Sequence, residues 1–415
     1  MKIEIINTGS ELLLGSTLNT HGAWLGQELL GLGLRVQKNI TVPDGDPIRD
    51  ELKQSIAAAD AVIVTGGLGP TSDDVTREAT AEALGVDLIE DEHAVRCIQA
   101  FFDRLGREMT PSNLKQALHP VGADVLPNPN GTAPGVYVPP RLGDSSCAIF
   151  LLPGPPHEMH AMYHAEVAPR LKALTDRPDD YGVTNIKFSG IGESSFQDKL
   201  DTPLHGIGDL EVGYCARPGE LDLRLIGGAD VRKVAADLAT QTYPQQYIND
   251  DERSLEETVV QTLAKQGKAL ALAESCTGGR VSSRITDVSG SSAVFTHGYI
   301  TYANEAKVQM LGVNETSLEA HGAVSEVVAK EMAEGALQNS GADIAVSVTG
   351  IAGPTGGTEE KPIGTTWIGI AVREGGVIRT SAEKKFYPNG REVFKRVAGQ
   401  AILMKILREL EPVNL

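Results

Sequence analysis

Aromatic residues are scarce in this chain, at 5% of 415 residues. Single-stranded nucleic acid is usually bound on aromatic stacking platforms, so that role is poorly provided for. Cysteine is scarce too: Cys97, Cys147, Cys215 and Cys276 are widely spread and form no CxxC pair. Their spacing argues against a zinc ribbon or a disulfide framework and fits a reducing cytosol. Nor is there a run of Lys and Arg. The 37 basic and 55 acidic side chains leave a formal net charge of -18 and a pI near 5.0. So acidic a chain repels nucleic acid and anionic membrane unless a local basic patch intervenes. No stretch reaches the ~18 apolar residues of a membrane helix. The N-terminal MKIEIINTGSELLLG has no basic segment ahead of a long apolar core. These absences predict a cytoplasmic protein with no membrane and no direct nucleic-acid partner.

What is present is an ordinary globular composition, with 41% hydrophobic and 22% charged residues, and a generous 45 glycines. Many glycines sit in short clusters between apolar runs, as in tight turns that approach ligands closely. The length suits two or three domains. Over the first stretch, strands (Lys2–Thr8, Val36–Val42, Ala61–Thr65, Cys147–Leu152) are interspersed with helices (Thr20–Leu32, Asp46–Ala59, Thr76–Leu84). That order implies βαβ units and a parallel sheet, with ligands at the carboxyl ends of the strands. From about Pro169 the pattern becomes α+β, with strands at Tyr181–Ile191, Glu211–Ala216 and Glu220–Ile226. Helices are expected there at Glu193–Leu200 and Val231–Thr240, and the acidic Tyr247–Ser254 reads as a linker. A second α/β unit starts at Leu255. The predicted class is α/β: two α/β sandwich domains with mainly parallel sheets, joined by a small α+β domain. The boundaries fall at 1–169, 170–250 and 251–415.

The sharpest C-terminal signal is Leu270-Ala-Leu-Ala-Glu-Ser-Cys-Thr-Gly-Gly279, an apolar strand running into a small-residue turn and then a helical pattern. A serine on such a turn can face a ligand while the following amides point into the same space. Ser275 and Thr277 could equally be helix caps. Cys276 is the rival nucleophile, although a small Cys behind a strand is more often core. No GxSxG with trailing Asp and His is evident, and His297 and His321 read as turn or surface residues. The remaining base is Lys307, in Tyr299-Ile-Thr-Tyr-Ala-Asn-Glu-Ala-Lys307; a lysine serves if its pKa is lowered, although a lone Lys is ordinarily solvated surface.

Four motifs occur in order: AESCTGG, YxTYANEAK, SVTGIAGPTGGTEEKPIGTTWIG and FYPNGREVFK. Together they resemble the C-terminal domain of the CinA family, which is similar to nicotinamide mononucleotide deamidase, across nearly all of Leu255–Leu415. The resemblance implies that Ser275 attacks the carboxamide and Lys307 activates it, with Tyr302 nearby. It further implies that Thr277, Gly278, Thr349, Gly350 and Gly353 contact the nucleotide, the Gly350–Gly357 loop cradling its phosphate, and that Arg391 supplies a cation. This chain has FYPNGR where an acidic residue usually precedes that arginine. No cofactor is implied in this half.

In the N-terminal half, Thr65-Gly-Gly-Leu-Gly-Pro-Thr-Ser-Asp-Asp-Val-Thr76 places glycines and an Asp pair between a buried strand and a helix. Glycines let a backbone approach a diphosphate, and Asp73 and Asp74 could hold a divalent metal on its oxygens. A capped helix after a turn explains the same residues. Thr8-Gly-Ser-Glu-Leu-Leu-Leu-Gly15, Asn19-Thr20, Asn130-Gly-Thr-Ala-Pro-Gly135 and Pro153-Gly-Pro-Pro-His-Glu-Met159 accompany it. Across about Met1–Pro169 these resemble the molybdopterin-binding-like domain of CinA proteins. That branch looks like an ADP-ribose pyrophosphatase, giving AMP and ribose 5-phosphate. The resemblance implies substrate contacts from Gly9, Asn19, Gly66, Gly67, Gly69, Thr71 and Gly154. It implies a metal (Mg, Mn or Co, with K as a further candidate) on Glu11, Asp73 and Asp74. Ser10 replaces the Asp that many relatives carry before Glu11. His157 and Glu158 read as pocket wall, and pterin binding stays open.

The middle piece, about Arg170–Asp250, resembles the KH-like insert of full-length CinA proteins, but its GIGE turn lacks the basic residues of a nucleic-acid clamp. It is expected to be a spacer and a dimerisation element, making the protein a homodimer. The combined expectation is an enzyme that recycles pyridine nucleotides, with nicotinamide mononucleotide and ADP-ribose as its small-molecule partners. The alternatives are a pterin- or nucleotide-binding module fused to a deamidase, and a non-catalytic partner protein in competence or recombination.

Overall fold

The computed structural model describes residues 1–142, 145–175, 178, 180–251 and 253–410. It divides into two compact units, Met1–Val183 with Gly227–Ala229, and Thr184–Ile226 with Asp230–Leu415. Both are built on parallel-rich sheets, and the class is α/β as the strand–helix alternation implies.

The first unit contains β1 (Lys2–Thr8), α1 (His21–Gly31), β2 (Arg35–Val42), α2 (Asp46–Ala58), β3 (Ala61–Thr65), α3 (Thr76–Leu84) and α4 (Glu92–Arg104). β4 (Asp124–Leu126), β5 (Gly135–Val138), β6 (Ala148–Leu152) and α5 (Pro156–Met162) complete its main elements. The sheet order is β2-β1-β3-β6-β5-β4. Its first four strands are parallel, and β5 and β4 extend them antiparallel. Because successive strand residues face opposite ways, each central strand feeds two cores. Val62, Val64, Ile149 and Leu151 pack with Ile48, Leu52 and Leu84 on one side. Ile63, Phe150 and Leu152 pack with Leu25, Leu29 and Met159 on the other. The hydrophobic runs seen in the sequence are therefore strands buried on both faces. α4 was not foreseen: only Ala94 and Ile98 of it are buried, a stripe too narrow to stand out among its charges.

The second unit begins with a four-stranded sheet made of β7 (Gly182–Ser189), β8 (Glu211–Arg217), β9 (Glu220–Gly227) and β10 (Tyr247–Asn249), in the order β8-β9-β7-β10. α6 (Glu193–His205) and α7 (Ala229–Thr242) pack on it through Phe196, Leu200, Leu204, Ala235 and Ala239. β10 corrects the linker reading of Tyr247–Ser254. Ile248 and Asn249 are buried, and the segment pairs antiparallel with β7. Acidity beyond Asn249 masked a three-residue strand; position 252 of that stretch lies outside the described residues.

Next come α8 (Leu255–Gln266), β11 (Leu270–Glu274), α9 (Arg280–Thr286), β12 (Phe295–Ile300), α10 (Asn304–Leu311), α11 (Glu315–His321) and α12 (Glu326–Ser340). β13 (Ile344–Gly350), β14 (Thr365–Glu374), β15 (Val377–Phe386) and α13 (Arg391–Leu410) follow. The order is β12-β11-β13-β14-β15, with the first three parallel and the last two antiparallel. Large residues (Leu270, Leu272, Val346, Ile368, Ile370) meet α8, α9 and α13 on one face. The other face is small (Ala271, Ala273, Ala345, Ala371) and lets α12 come close. A Cβ on Gly369 would stand 2.3 Å from the Ala329 carbonyl oxygen, so glycine is required there. β15 was not foreseen, because an edge strand reading VIRTSAEKKF buries too little to show an apolar pattern.

Candidate active sites

Ser275 follows the last residue of β11, whose five residues are all buried, and its N–H donates to the Val348 carbonyl of β13 at 3.1 Å. Glu274 anchors the turn. Its buried carboxylate accepts from the N–H of Val281 at 3.2 Å, from the N–H of Ser282 at 2.8 Å and from Ser282 Oγ at 2.7 Å. The first turn of α9 is thereby tied back to the strand. Gly278 and Gly279 have φ of 63° and 87°, a backbone that side chains with a Cβ rarely adopt. The N–H groups of Cys276 and Thr277 donate to no other described residue. They are free to serve as oxyanion donors.

Lys307 reaches the same point from α10. It is 1% exposed, and its Nζ lies 3.2 Å from Ser275 Oγ. The ammonium also donates to the Thr301 carbonyl at 2.9 Å, with the Tyr302 and Ala303 carbonyls at 3.5 Å. Those carbonyls aim the side chain. No carboxylate among the described residues forms an ion pair with it, and burial lowers its pKa below the usual lysine range. Cys276 sits in the apolar core, where burial pushes its thiol up to about 12. It is thus neutral at neutral pH and a poor nucleophile.

Tyr302 is not drawn to the Ser–Lys pair by its hydroxyl. It is 59% exposed, and its OH accepts from Arg391 Nη2 at 2.7 Å. The other arm of Arg391 donates to the Gly353 carbonyl at 2.9 Å, fastening the Gly350–Gly357 loop. Thr349 Oγ1 donates to the Ala323 carbonyl at 2.8 Å, so this hydroxyl braces the loop preceding α12. Gly350 is confined: a Cβ there would lie 2.9 Å from the Thr365 carbonyl oxygen. Thr277 is fully buried and its hydroxyl has no partner.

Sequence reasoning passed over Lys395. Its Nζ lies 3.5 Å from where a Cβ on Gly278 would be, and it pairs with no carboxylate among the described residues. Its spacing of four from Arg391 on α13, which puts both on one helix face, was the available signal.

In the first unit the turns after β1, β3 and β6 open on one edge of the sheet. A Cβ on Gly66 would lie 2.8 Å from the Thr8 carbonyl oxygen, and one on Gly154 would lie 3.7 Å from Gly66 Cα. Gly9, Gly66, Gly67 and Gly154 therefore converge, as expected at the carboxyl ends of parallel strands. Asn19 accepts from the His21 N–H and donates to Thr41 Oγ1, both at 3.1 Å, which fixes the start of α1. Asp74 Oδ2 accepts from the Thr71 N–H at 3.0 Å and from the Thr71 hydroxyl, closing a small loop around Gly69. The Thr71 hydroxyl contact also holds Asp73 below the usual carboxylate range. Glu11 folds over Gly9, and Ser10 is tied to Asp44 by two hydrogen bonds of 2.9 Å. Glu158 accepts from Asn128 Nδ2 at 2.6 Å and presses on Gly131, so it holds the 128–135 loop; His157 is exposed. Among the described residues no three His, Cys, Asp or Glu side chains gather closely enough to hold a metal. Glu11, Asp73 and Asp74 are not brought together as one ligand set.

Residues 252–410 match the family model described as the CinA C-terminal domain, and residues 4–173 match that of a probable molybdopterin-binding domain. A CinA-like protein of Akkermansia muciniphila is 48% identical over 417 residues, covering 100% of this chain and 99% of its own. The chain belongs to the CinA family. Among solved CinA-family structures, the competence/damage inducible protein CihA from Agrobacterium tumefaciens shares 38% identity. It covers 38% of this chain and 93% of its own, with a TM-score of 0.36. CinA from Thermoplasma acidophilum shares 34%, covering 41% of this chain and 98% of its own, with a TM-score of 0.37. No helix among the described residues is long and apolar enough to cross a membrane.

Proposed function

We propose that this CinA-family protein is a hydrolase of pyridine nucleotides, working in the cytoplasm as a homodimer. Its C-terminal half would convert nicotinamide mononucleotide to nicotinate mononucleotide and ammonia. The observation that carries this reading is a buried lysine without a carboxylate partner, 3.2 Å from a serine on a glycine-rich turn. Neutral Lys307 accepts the Ser275 proton as Oγ attacks the carboxamide carbon. The Cys276 and Thr277 amides meet the developing oxyanion. Collapse of the tetrahedral adduct breaks the C–N bond, and the Lys307 ammonium returns its proton to the leaving nitrogen, releasing ammonia. Water then attacks the acyl ester with Lys307 again taking the proton; the bond to Ser275 Oγ breaks, Lys307 returns that proton to Oγ, and nicotinate mononucleotide leaves. Lys395, beside Gly278, and the Gly350–Gly357 loop, fastened by Arg391, would take the substrate's phosphate. No step in this half needs a metal. The test is ammonia release from nicotinamide mononucleotide by wild type and Ser275→Ala, both stripped of metal. Release by wild type alone supports the assignment; full activity in Ser275→Ala refutes it.

For the N-terminal half we propose cleavage of ADP-ribose to AMP and ribose 5-phosphate, supported by the convergence of Gly9, Gly66, Gly67 and Gly154. The donors present do not make a ready three-carboxylate metal site, so no step is derived through a divalent ion. Activity measured with Mg, Mn, Co or K salts, and with chelator, decides whether one is required.

A further inference from the structure

Arg77 is the second residue of α3 and is 1% exposed. Its Nη1 donates to the Leu68 carbonyl at 2.9 Å, and its Nη2 donates to the Pro134 carbonyl at 3.1 Å. One acceptor lies in the Gly66–Pro70 turn and the other in the 128–135 loop, so a single guanidinium staples the two. Nε finds no acceptor among the described residues. Two carboxylates act on Arg77 through space without an ion pair: Glu78, which gives one oxygen to Lys115 and keeps the other buried and unpartnered among the described residues, and Asp74, which accepts from Thr71. Burial lowers its pKa to about 10, which still leaves it charged at neutral pH. A buried cation whose hydrogen bonds go only to carbonyls, with carboxylates acting at a distance and none in ion-pair contact, is costly to keep.

A second observation lies on the same turn. The N–H groups of Gly67, Leu68 and Gly69 donate to no described residue, and Gly66 and Gly67 hold φ of 96° and 66°. Successive free amides in such a turn form an anion-binding nest. The Leu68–Gly69 peptide is trans, so while its carbonyl points to Arg77 its N–H points the opposite way. A charged donor on the carbonyl polarises that N–H and makes it the stronger donor.

We propose that Arg77 is the buried counter-charge of an anion held at Gly67–Gly69, the ligand class being a diphosphate ester, and that it positions the amides that grip it. This rests on the N-terminal reading above. Arg77 touches no reacting atom; it is a positioning residue.

The test uses the full chain, inorganic diphosphate as probe, chelator to exclude metal, and calorimetric titration of wild type, Arg77→Lys, Arg77→Gln and Arg77→Met. Lys keeps the charge and gives up one carbonyl bond; Gln gives up a similar bond and the charge; Met removes both. Arg77→Lys is expected to bind within about threefold of wild type, and Arg77→Gln and Arg77→Met at least about tenfold more weakly. Thermal melts of the free proteins are expected to place Lys and Gln within a few degrees of each other. Should one neutral variant not fold, the other carries the comparison. Equal affinity in the Lys variant and a folded neutral variant overturns the inference and leaves Arg77 as a structural staple. No diphosphate binding by wild type, either with chelator or when the titration is repeated with Mg salt, overturns the N-terminal anion reading and the inference with it.

Discussion

Replacing Lys307 by methionine separates catalysis from stability at one residue. The lysine is 1% exposed, ion-pairs with no carboxylate among the described residues, and lies 3.2 Å from Ser275 Oγ. Methionine keeps most of its volume and flexibility and carries no charge to bury. Loss of a general base costs about 10²–10⁴-fold in kcat, or ~3–5 kcal/mol of transition-state stabilisation. Methionine relieves the burial of a polar head but leaves the Thr301 carbonyl without its donor, a cost of ~1–3 kcal/mol that opposes the gain. Ammonia release at saturating nicotinamide mononucleotide should therefore fall by the catalytic factor while thermal unfolding shifts by no more than a few degrees. The pH dependence has a definite sign. Burial holds the native Lys307 pKa below that of an unfolded lysine, so between the two values the unfolded chain binds more protons. Wild-type stability should rise with pH through that window, and the methionine variant, with nothing to titrate there, should lack the increment. The wild-type kcat/KM should rise with pH and level off below the ordinary lysine range of ~10.4. A methionine variant within about tenfold of wild type would refute the base assignment, since that is less than general-base catalysis contributes. So would a wild-type profile with no inflection below that range.

Three further outcomes are expected. Cys276→Ala should keep deamidation within about threefold, and wild-type activity should be insensitive to iodoacetamide, because the Cys276 thiol, at about 12, is protonated and buried; loss of activity in the alanine variant with an intact fold would restore Cys276 as nucleophile. Glu274→Ala, which strands two backbone N–H groups and the Ser282 hydroxyl at the start of α9, should lower stability by ~1–3 kcal/mol per unpaired buried group. Chemical denaturation reads that loss, and an unchanged midpoint would show that water replaces the carboxylate. Asp74→Ala, which releases the Thr71 N–H and hydroxyl and removes the carboxylate packed against Gly69, should lower ADP-ribose cleavage and leave ammonia release intact, because the two proposed sites share no residue; parallel assays that lose both activities together would argue against independent sites.

Much of the architecture was legible in one dimension because buried parallel strands and glycine turns carry strong local signals. The runs Ala61–Thr65, Leu270–Glu274 and Ile344–Gly350 are largely apolar and almost wholly buried, and each ends in a turn where positive φ or close approach admits only glycine. Elements that bury little were illegible: β15 at an exposed edge, α4 with two buried residues, and β10, too short to show a period.

Residue types and order were enough to propose Ser275 and Lys307, but not to show that they meet. They are 32 positions apart, and the meeting depends on β11 and α10 ending at one edge of a sheet. The sequence already favours Ser275 over Cys276 by residue type and by resemblance; the physical reason, burial that lowers the Lys307 pKa and raises that of Cys276, is a property of the packed core. The same holds for Arg77, an ordinary helix arginine in the sequence. Only the fold buries it behind two loops with carbonyls as its hydrogen-bond partners and no ion-paired carboxylate among the described residues, because burial depends on residues distant in the chain.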